Sequence, residues 1–473
     1  MSEQSKAIHV AVIGAGPGGY PAAFHASDLG MKVTLIDPEA APGGVCLHRG
    51  CIPSKTLLHV AKMLEETKAA AEIGVRFGTP EIDLDQLRGW KRKVVEKLTG
   101  GLGQLCKQRQ VNHIQGRARF SSPNSLLVQR VDGKEETVPF DFCILATGSR
   151  PVSIQEFIIG SRTLNSSSAL ELPDIPKTML VVGGGYIGLE LGSVYAALGT
   201  KVSVVEMTPG LLPGADRDLV LFLAKRLQQR FESILLGTKV TEMKEDRDGV
   251  KVKFCATDGK ESERVFEKIL VSVGRRPNSE NLGLENTKVK LTARGFVEVD
   301  GQRRTAEPAI FAIGDVAGDP MLAHKATAEA RVAVEAIAGQ KTVFDPQAIP
   351  AVVFTDPEIA WCGLTETQAR NGKHEIKAAR FPWAASGRAT TLQRDDGVTK
   401  LIVDPSSERI LGMGIAGPGA GELIAEGTLA IEMGATAADL KQIIHPHPTL
   451  SETLMESAEV FYGQSPHFMQ RRK

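Results

Sequence analysis

A chain of 473 residues, 42% hydrophobic and 24% charged, is ordinary globular material with length for two to four domains. Its 56 basic and 56 acidic side chains cancel, which excludes a bulk attraction to nucleic acid or anionic membrane. No run of about 18 apolar residues occurs and the short polar stretch Met1–Ala7 is no basic, apolar leader, so a soluble cytoplasmic protein is expected.

Ile8–Ile13 is a continuous apolar run that ends in Gly14-Ala15-Gly16-Pro17-Gly18-Gly19. A helical stretch, Tyr20–Leu29, then a strand, Lys32–Ile36, and the acid Asp37 follow. Strand, Gly-x-Gly-x-x-Gly, helix, strand and acid in this order make a dinucleotide-binding unit. Gly14, Gly16 and Gly19 let the backbone approach a pyrophosphate at a helix N-terminus, and Asp37 can accept from an adenosine ribose.

The stretch Gly43–Lys55 holds Cys46 and Cys51, five residues apart, just before the helical spacing of Leu57, Val60, Ala61 and Leu64. Pro53 suits the first turn of that helix, so Cys51 is expected at or just outside its N-terminus, where a thiolate is favoured. A disulfide needs Cα atoms within about 7 Å. Residues five apart on an ideal helix lie on different faces, about 7.5 Å apart along the axis. Cys46 is therefore expected to precede the helix on a bent segment, with Gly43, Gly44 and Gly50 supplying the bend. The stretch suits a disulfide that forms and breaks; two unrelated core cysteines are the bland alternative. Cys106, Cys143, Cys255 and Cys362 stand alone and read as buried thiols in a reducing compartment.

Ile82–Gln108 reads as a long helix with Leu84, Leu87, Val94, Val95, Leu98 and Leu102 as its buried stripe, interrupted by glycines at 100, 101 and 103. Strands follow near Asn112–Arg119 and Ser125–Val131, and Phe142–Ala146 runs into the small turn Thr147-Gly148-Ser149. The first pattern then repeats. Thr178–Val182 leads to Gly183-Gly184-Gly185-Tyr186-Ile187-Gly188, a helix at Leu189–Leu198, the strand Lys201–Val205 and Glu206. Asp37 lies 37 − 14 = 23 residues after Gly14, and Glu206 lies 206 − 183 = 23 after Gly183. Two matched units imply two separate dinucleotides. A carboxylate at Glu206 favours a free ribose 2′-hydroxyl and repels a 2′-phosphate, and Met207–Asp216 has no Arg or Lys to receive one, so NAD is expected over NADP.

The strand Val265–Val273 ends in Gly274-Arg275-Arg276-Pro277-Asn278, and Ala309–Ile313 delivers Gly314-Asp315, then Met321-Leu322-Ala323-His324 and a helix at Lys325–Ala338. Asp315 could grip the sugar-like chain of a flavin or merely cap a turn. Phe344–Pro350 reads as a boundary. Beyond it come strands at Ala351–Phe354, Ile359–Cys362, Lys400–Val403 and Ile410–Ala416, and helices near Glu422–Met433 and Glu452–Phe461. Prolines flank His447, and Glu452 could orient its imidazole or serve a capping box begun by Thr449. The tail Arg471-Arg472-Lys473 reads as solvated.

Taken together, Gly50–Lys55, both glycine loops, Ala146-Thr147-Gly148, Gly314-Asp315, Met321–His324 and His447-Pro448-Thr449 resemble the flavin-dependent pyridine nucleotide–disulfide oxidoreductases nearly end to end. The resemblance implies an α/β fold: two Rossmann-like three-layer dinucleotide-binding domains plus a C-terminal α+β dimerisation domain. It implies an FAD-binding domain over 1–150, an NAD-binding domain over 151–278, a central segment over 279–348 completing the first, and an interface domain over 349–473.

By the same resemblance FAD would be bound through Gly14, Gly16, Gly19, Asp37, Gly44, Lys55, Ala118, Thr147, Gly148, Ser149, Asp315, Met321, Leu322, Ala323 and His324. NAD would be bound through Gly183, Gly185, Gly188, Glu206, Val240 and Gly274, with no metal. Cys51 would lie beside the flavin, Cys46 would meet substrate, and Lys55 would pair with Glu190 near the flavin. His447, held by Glu452, would act as base on the disulfide of the other copy in an obligate homodimer. The implied activity is oxidation of dihydrolipoyl groups, carried by a protein or domain of a 2-oxoacid dehydrogenase or glycine cleavage complex, with electrons passing to NAD⁺. Val45, His48 and Arg49 depart from the family's usual Thr and Asn-x, and His48 and Arg49 could shift the thiols or change which carrier docks. A glutathione reductase would be expected to use NADPH, against Glu206; a mercuric reductase would carry a further cysteine pair, and no Cys follows Cys362. A non-catalytic assembly subunit would not be expected to keep Cys46, Cys51, Lys55, Glu190 and His447 together.

Overall fold

The computed structural model describes residues 7–152 and 160–469, so the basic tail at 471–473 lies outside the described residues. His9–Ile13 and Lys32–Asp37 pair in parallel, Val10 against Val33, and both are buried along nearly their whole length. Such continuous apolar runs suit strands covered on both faces. They sit in a seven-stranded sheet whose order is 310–312, 142–145, 9–13, 32–37, 112–122, 125–130 and 135–139. The strand Ile310–Ala312 thus returns from far along the sequence to pair with Phe142–Leu145. Helices Gly19–Asp28 and Ala323–Ile337 pack on this sheet and on each other.

The second glycine loop follows Thr178–Val182, the central strand of a parallel five-stranded sheet in the order 233–235, 201–205, 178–182, 268–271 and 163–164. The expected strand at 265–273 is in fact two. Glu261–Phe266 closes a three-stranded antiparallel meander, and Lys268–Val271 enters the parallel sheet. The chain changes sheets at Glu267, whose N–H donates to the Thr178 hydroxyl at 3.0 Å. A two-stranded link, Ser149–Pro151 against Arg275–Pro277, ties the two nucleotide units.

The C-terminal part is a five-stranded antiparallel sheet in the order 351–353, 359–363, 410–416, 398–403 and 377–382. Helices Ala420–Glu432 and Glu452–Tyr462 cover it around fully buried Trp383 and Phe381. Sequence reasoning missed Lys377–Pro382, whose buried residues are Ala379 and Phe381. Its small and charged residues and terminal proline are tolerated because it is an edge strand.

Two further expectations need correction. The helix Leu84–Gln108 runs unbroken through Gly100, Gly101 and Gly103, started by Asp83, which accepts from Gln86 N–H at 2.9 Å. Its inward line passes through Lys91, Val95, Thr99, Leu102 and Cys106, while Leu98 is exposed and Leu84, Leu87 and Val94 are half-buried. On that inward line Lys91 Nζ donates to the Leu170 carbonyl. Of the four solitary cysteines, Cys106, Cys143 and Cys362 are buried, but Cys255, near the end of a meander strand, is half-buried. Among the described residues no helix is long and apolar enough to cross a membrane.

Candidate active site

Cys46 is itself helical, which the bent-segment expectation did not foresee: it lies in the short helix Gly44–Arg49. Gly50 (φ −145°, ψ −113°) breaks that helix, and Cys51 starts the next one, Cys51–Ala69. A Cβ on Gly50 would come within 2.8 Å of the Val45 carbonyl, so the fold of the chain between the two cysteines admits only glycine there. As thiols the two side chains hydrogen-bond to each other, which pushes their titrations apart. Cys51 is lowered to about 7, first by the hydrogen bond from Cys46, then by the Lys55 charge and its own N–H, against burial and the Glu190 charge. Cys46 is pushed far up by donating that bond and by burial. The arrangement favours the proton on Cys46 and the negative charge on Cys51.

Lys55 sits one turn into the same helix and pairs with Glu190 at 2.8 Å. Glu190 is nearly fully buried on the second unit's helix Tyr186–Ala197 and also accepts from the Ser54 hydroxyl at 3.1 Å and the Phe354 N–H at 2.9 Å. The Lys55 ammonium lies 4.5 Å from the centre of the Phe354 ring. His48 and Arg49 do not stand free between the cysteines. A ring nitrogen of His48 lies 3.0 Å from the Ala41 carbonyl, and Arg49 pairs with Glu39.

A cavity of about 750 Å³ opens in front of Cys46 and Cys51. From the first unit its wall takes Gly14, Gly16, Asp37, Gly44 and Lys55, and from the next strands Ala118, Thr147, Gly148 and Ser149. Asp315, Met321, Ala323 and Glu190 complete the part that the sequence reading assigned. Leu322 and His324 do not line it: Leu322 caps a helix and a His324 ring nitrogen lies 2.7 Å from the Pro350 carbonyl. Gly19 is also outside, because its missing Cβ makes room for the Gly14 carbonyl, 1.7 Å from where that atom would be. A Cβ on Gly16, by contrast, would meet no protein atom closer than 3.8 Å. The space at Gly16 is thus open for a ligand, as a pyrophosphate at the helix start requires.

Residues that sequence reasoning passed over also line this cavity, notably Tyr186 and Arg275. Arg275 donates to the Ser149 hydroxyl at 2.8 Å and carbonyl at 2.7 Å, and that hydroxyl donates to Asp315 at 2.5 Å. Burial pushes the Tyr186 hydroxyl up to about 12. Their signal was present, since Tyr186 lies inside the second glycine loop and Arg275 follows Gly274. Buried Glu329 was also missed; it accepts from Gly314 N–H at 2.6 Å and so fixes the turn that presents Asp315.

The second loop copies the first. A Cβ on Gly183 (φ +108°) or Gly188 would strike backbone carbonyls at 2.6 and 2.4 Å, whereas one on Gly185 would meet nothing within 4 Å. The acids match as well. Asp37 accepts from Ala15 and Glu39 N–H at 2.7 and 2.9 Å, and Glu206 accepts from Gly184 and Thr208 N–H at 2.7 and 2.8 Å. Val240 is half-buried against the second unit's core, and Gly274 (φ +124°) turns the chain so that its carbonyl accepts from Val152 N–H at 3.0 Å. The first arginine beyond Glu206, Arg217, donates to the carbonyls of Leu211, Leu212 and Ala215.

A His447 ring nitrogen, Nδ1, lies 2.8 Å from Glu452 Oε1, and Glu452 Oε2 accepts from Thr449 N–H at 2.8 Å. The capping box is therefore half formed. The Thr449 hydroxyl turns instead to the Pro446 carbonyl at 2.7 Å, and the helix starts only at Glu452. Burial opposes the charge of Glu452, but the Thr449 N–H and His447 hold its carboxyl below the usual range. The His447 side chain is 76% exposed and is absent from the wall of the cavity that holds Cys46.

Two nucleotide cradles with a dithiol and a lysine–carboxylate pair between them define a two-nucleotide redox enzyme. The chain belongs to the pyridine nucleotide-disulphide oxidoreductase family, whose model matches residues 8–330 and whose dimerisation domain matches 349–458. It is an FAD- and NAD-dependent disulfide oxidoreductase. It is 47% identical to a dihydrolipoyl dehydrogenase of Vibrio parahaemolyticus over 98% of this chain and 97% of that one. It is 46% identical to one of Thermus scotoductus over 98% and 100%. Among solved structures it is similar to LpdA from Mycobacterium tuberculosis, with TM-score 0.88, 27% identity and coverage of 96% and 99%. It is also similar to the HOCl-induced flavoprotein disulfide reductase RclA from Escherichia coli, with TM-score 0.84, 27% identity and the same coverage.

Proposed function

We propose that the chain oxidises dihydrolipoyl groups to lipoyl groups and delivers the electron pair to NAD⁺. The observation that carries the reading is the thiol pair at the head of the helix Cys51–Ala69, facing the cavity that the first glycine loop and the Lys55–Glu190 pair share. FAD, when bound there, supplies a two-electron carrier between sulfur and the nicotinamide.

The chain's own residues account for the proton and thiol steps. With Cys46 and Cys51 oxidised, His447 takes a proton from a dihydrolipoyl thiol on one ring nitrogen while Glu452 holds the other. The thiolate bonds to Cys46, the Cys46–Cys51 bond breaks, and Cys51 leaves as the thiolate that Lys55 and the helix N–H favour. The second dihydrolipoyl sulfur then bonds to the first substrate sulfur as the bond to Cys46 breaks; its proton passes to the departing Cys46 sulfur, and the first proton stays on His447. Two electrons and two protons have then left the substrate. Because His447 does not reach the cavity of its own chain and lies inside the dimerisation domain, the base is supplied by a second copy in a homodimer with shared sites.

Glu206, with Arg217 committed to backbone carbonyls, supports NAD over NADP and so disfavours a glutathione-reducing role. The carrier of the dihydrolipoyl group is a lipoylated protein or domain of a 2-oxoacid dehydrogenase or glycine cleavage complex in the cytoplasm. The test is a steady-state comparison of dihydrolipoamide with NAD⁺ against glutathione disulfide with NADPH and NADH. Turnover of the glutathione couple alone would reject the reading. Cys46→Ser should abolish dihydrolipoamide turnover while FAD stays bound.

A further inference from the structure

Glu452 is not the sole carboxylate on its helix that holds an imidazole. One turn on, Glu456 Oε1 meets the His467 ring, and Glu456 Oε2 accepts the Ser465 hydroxyl at 2.7 Å. The Glu456 side chain is 5% exposed, so its charge is buried. The chain comes back to it because Gly463, in the left-handed region at φ 69°, ends the helix, and Phe468 N–H donates to the Ser465 hydroxyl at 3.1 Å.

Glu452, Glu456 and Glu459 recur at i, i+4 and i+7 and share one helix face. Glu459 is raised by burial and by the Glu456 charge. The other charged groups nearby come from the elements packed on this helix. Lys441, on the preceding helix, faces Glu459 and pairs with Gln464, and Lys377 of the edge strand is spent on the Phe461 carbonyl at 2.7 Å. His467 is thus the ion-pair partner of Glu456. A buried carboxylate left with only the Ser465 hydroxyl and no counter-charge, one turn from Glu452, would add a negative field to the His447–Glu452 pair.

We infer that His467 is a positioning residue for that pair: by neutralising Glu456 it leaves the charge beside His447 set by Glu452. The inference rests on the reading of His447 as the base. The hydrogen bond to Glu456 and the neighbouring carboxylates hold His467 above the ordinary histidine value, so its ring keeps its proton to higher pH than a free imidazole does. As pH rises through that midpoint the ring loses its proton and Glu456 is left uncompensated.

The test uses the FAD-loaded dimer and measures, against pH, the rate of flavin reduction by dihydrolipoamide in a single turnover. H467Q keeps a hydrogen-bond donor but loses the positive charge, so the midpoint of the acid limb should move up by about half a pH unit. In the double variant H467Q/E456Q the added field is gone and the midpoint should return towards the wild-type position. Independently of activity, the His467 ring resonance should titrate above an exposed histidine and fall back in E456Q. The inference is overturned if H467Q superimposes on wild type, if the double variant keeps the H467Q shift, or if the His467 midpoint is unmoved by E456Q. Should the wild-type dimer show no flavin reduction by dithiol, the reading of His447 falls and this inference with it. Should it show that reduction with a silent H467Q, the inference falls alone.

Discussion

Gly185→Ala separates what the second glycine loop does for the fold from what it does for a nucleotide. Gly185 has φ −78° and ψ 174°, which alanine adopts without strain, and its Cβ would meet no protein atom within 4 Å. The folded protein should tolerate the methyl group, and loss of unfolded-state freedom could add about 0.4–1 kcal/mol. The same methyl group occupies the approach to the N-terminus of Tyr186–Ala197. Displacing a pyrophosphate from one charge-assisted amide bond costs about 1.5–3 kcal/mol, or roughly 10- to 100-fold in NAD affinity. Two controls bracket it: alanine at Gly183 or Gly188 drives Cβ to within 2.6 or 2.4 Å of a backbone carbonyl and should destabilise the unit itself. The assay is a melting curve of the FAD-loaded protein beside an NADH titration and the KM for NAD⁺, with flavin reduction by dithiol as the internal control. An unchanged KM for NAD⁺ in Gly185→Ala would refute the placement of the pyrophosphate, and a melting point lowered like that of Gly188→Ala would show the position to be structural.

Lys55→Met should raise the Cys51 titration above about 7, because the Lys55 charge is one of the forces that lower it; ultraviolet thiolate absorbance against pH in a Cys46→Ser background reads this, and an unmoved midpoint would exclude it. Glu190→Ala should cost about 2–4 kcal/mol more than Glu190→Gln, since alanine strands the Ser54 hydroxyl, the Phe354 N–H and the partly exposed Lys55 ammonium; equal melting points for the two variants would contradict the bonding described. Fully buried Lys400 meets Asp216, Asp218 and Glu366 at 2.6, 2.7 and 3.0 Å and so fills the space that a metal ion could take among those carboxylates. Burial resists charge on Asp216 and Asp218, but Lys400 holds both below the usual carboxylate range, so their contribution is present above about pH 4 and is lost as pH falls through the lowered values. Lys400→Met should therefore destabilise by about 3–5 kcal/mol at neutral pH and by less at about pH 3, and a loss that does not shrink across that interval would count against the charge cluster as its cause.

How far the sequence carried depends on what kind of signal each feature leaves. The glycine loops were legible because spacing and residue type are both dictated by backbone contacts, 1.7 Å at Gly19 and 2.4 Å at Gly188 for an added Cβ. The Lys55–Glu190 pairing came from the family resemblance, the His447–Glu452 pairing was already offered by the proline-flanked histidine and the carboxylate five residues on, and both are present at 2.8 Å. What stayed hidden depends on contacts between distant segments. The apolar spacing of Leu84–Gln108 suggested a buried stripe, but Lys91 and Thr99 are buried too, and the partner of Lys91 Nζ, the Leu170 carbonyl, is 79 residues away in sequence. The strand Lys377–Pro382 carries too little hydrophobic signal to be read alone and exists because Val398–Val403 pairs with it. Arg275 reaches Ser149, whose hydroxyl donates to Asp315, only after the two-stranded link joins the units.

The matched acids bear on coenzyme choice in a way the motif does not. Each carboxylate at the end of a second strand is held by two backbone N–H groups, one from its own glycine loop and one from two residues beyond itself. An ionised carboxylate has about four acceptor sites, so two remain for ribose hydroxyls. Glu206 fastens Gly184, next to the open Gly185, to the strand Lys201–Val205, and under the proposed reading the same carboxylate repels a 2′-phosphate. Replacing Glu206 with a small neutral residue removes both effects together. Looser NAD binding would then accompany any gain in tolerance for NADP, since the loop loses its anchor in the same step. A change of coenzyme built on this scaffold needs a new donor for the phosphate and a new acceptor for the Gly184 N–H, and Arg217 can supply neither while its guanidinium closes the turn at Leu211, Leu212 and Ala215.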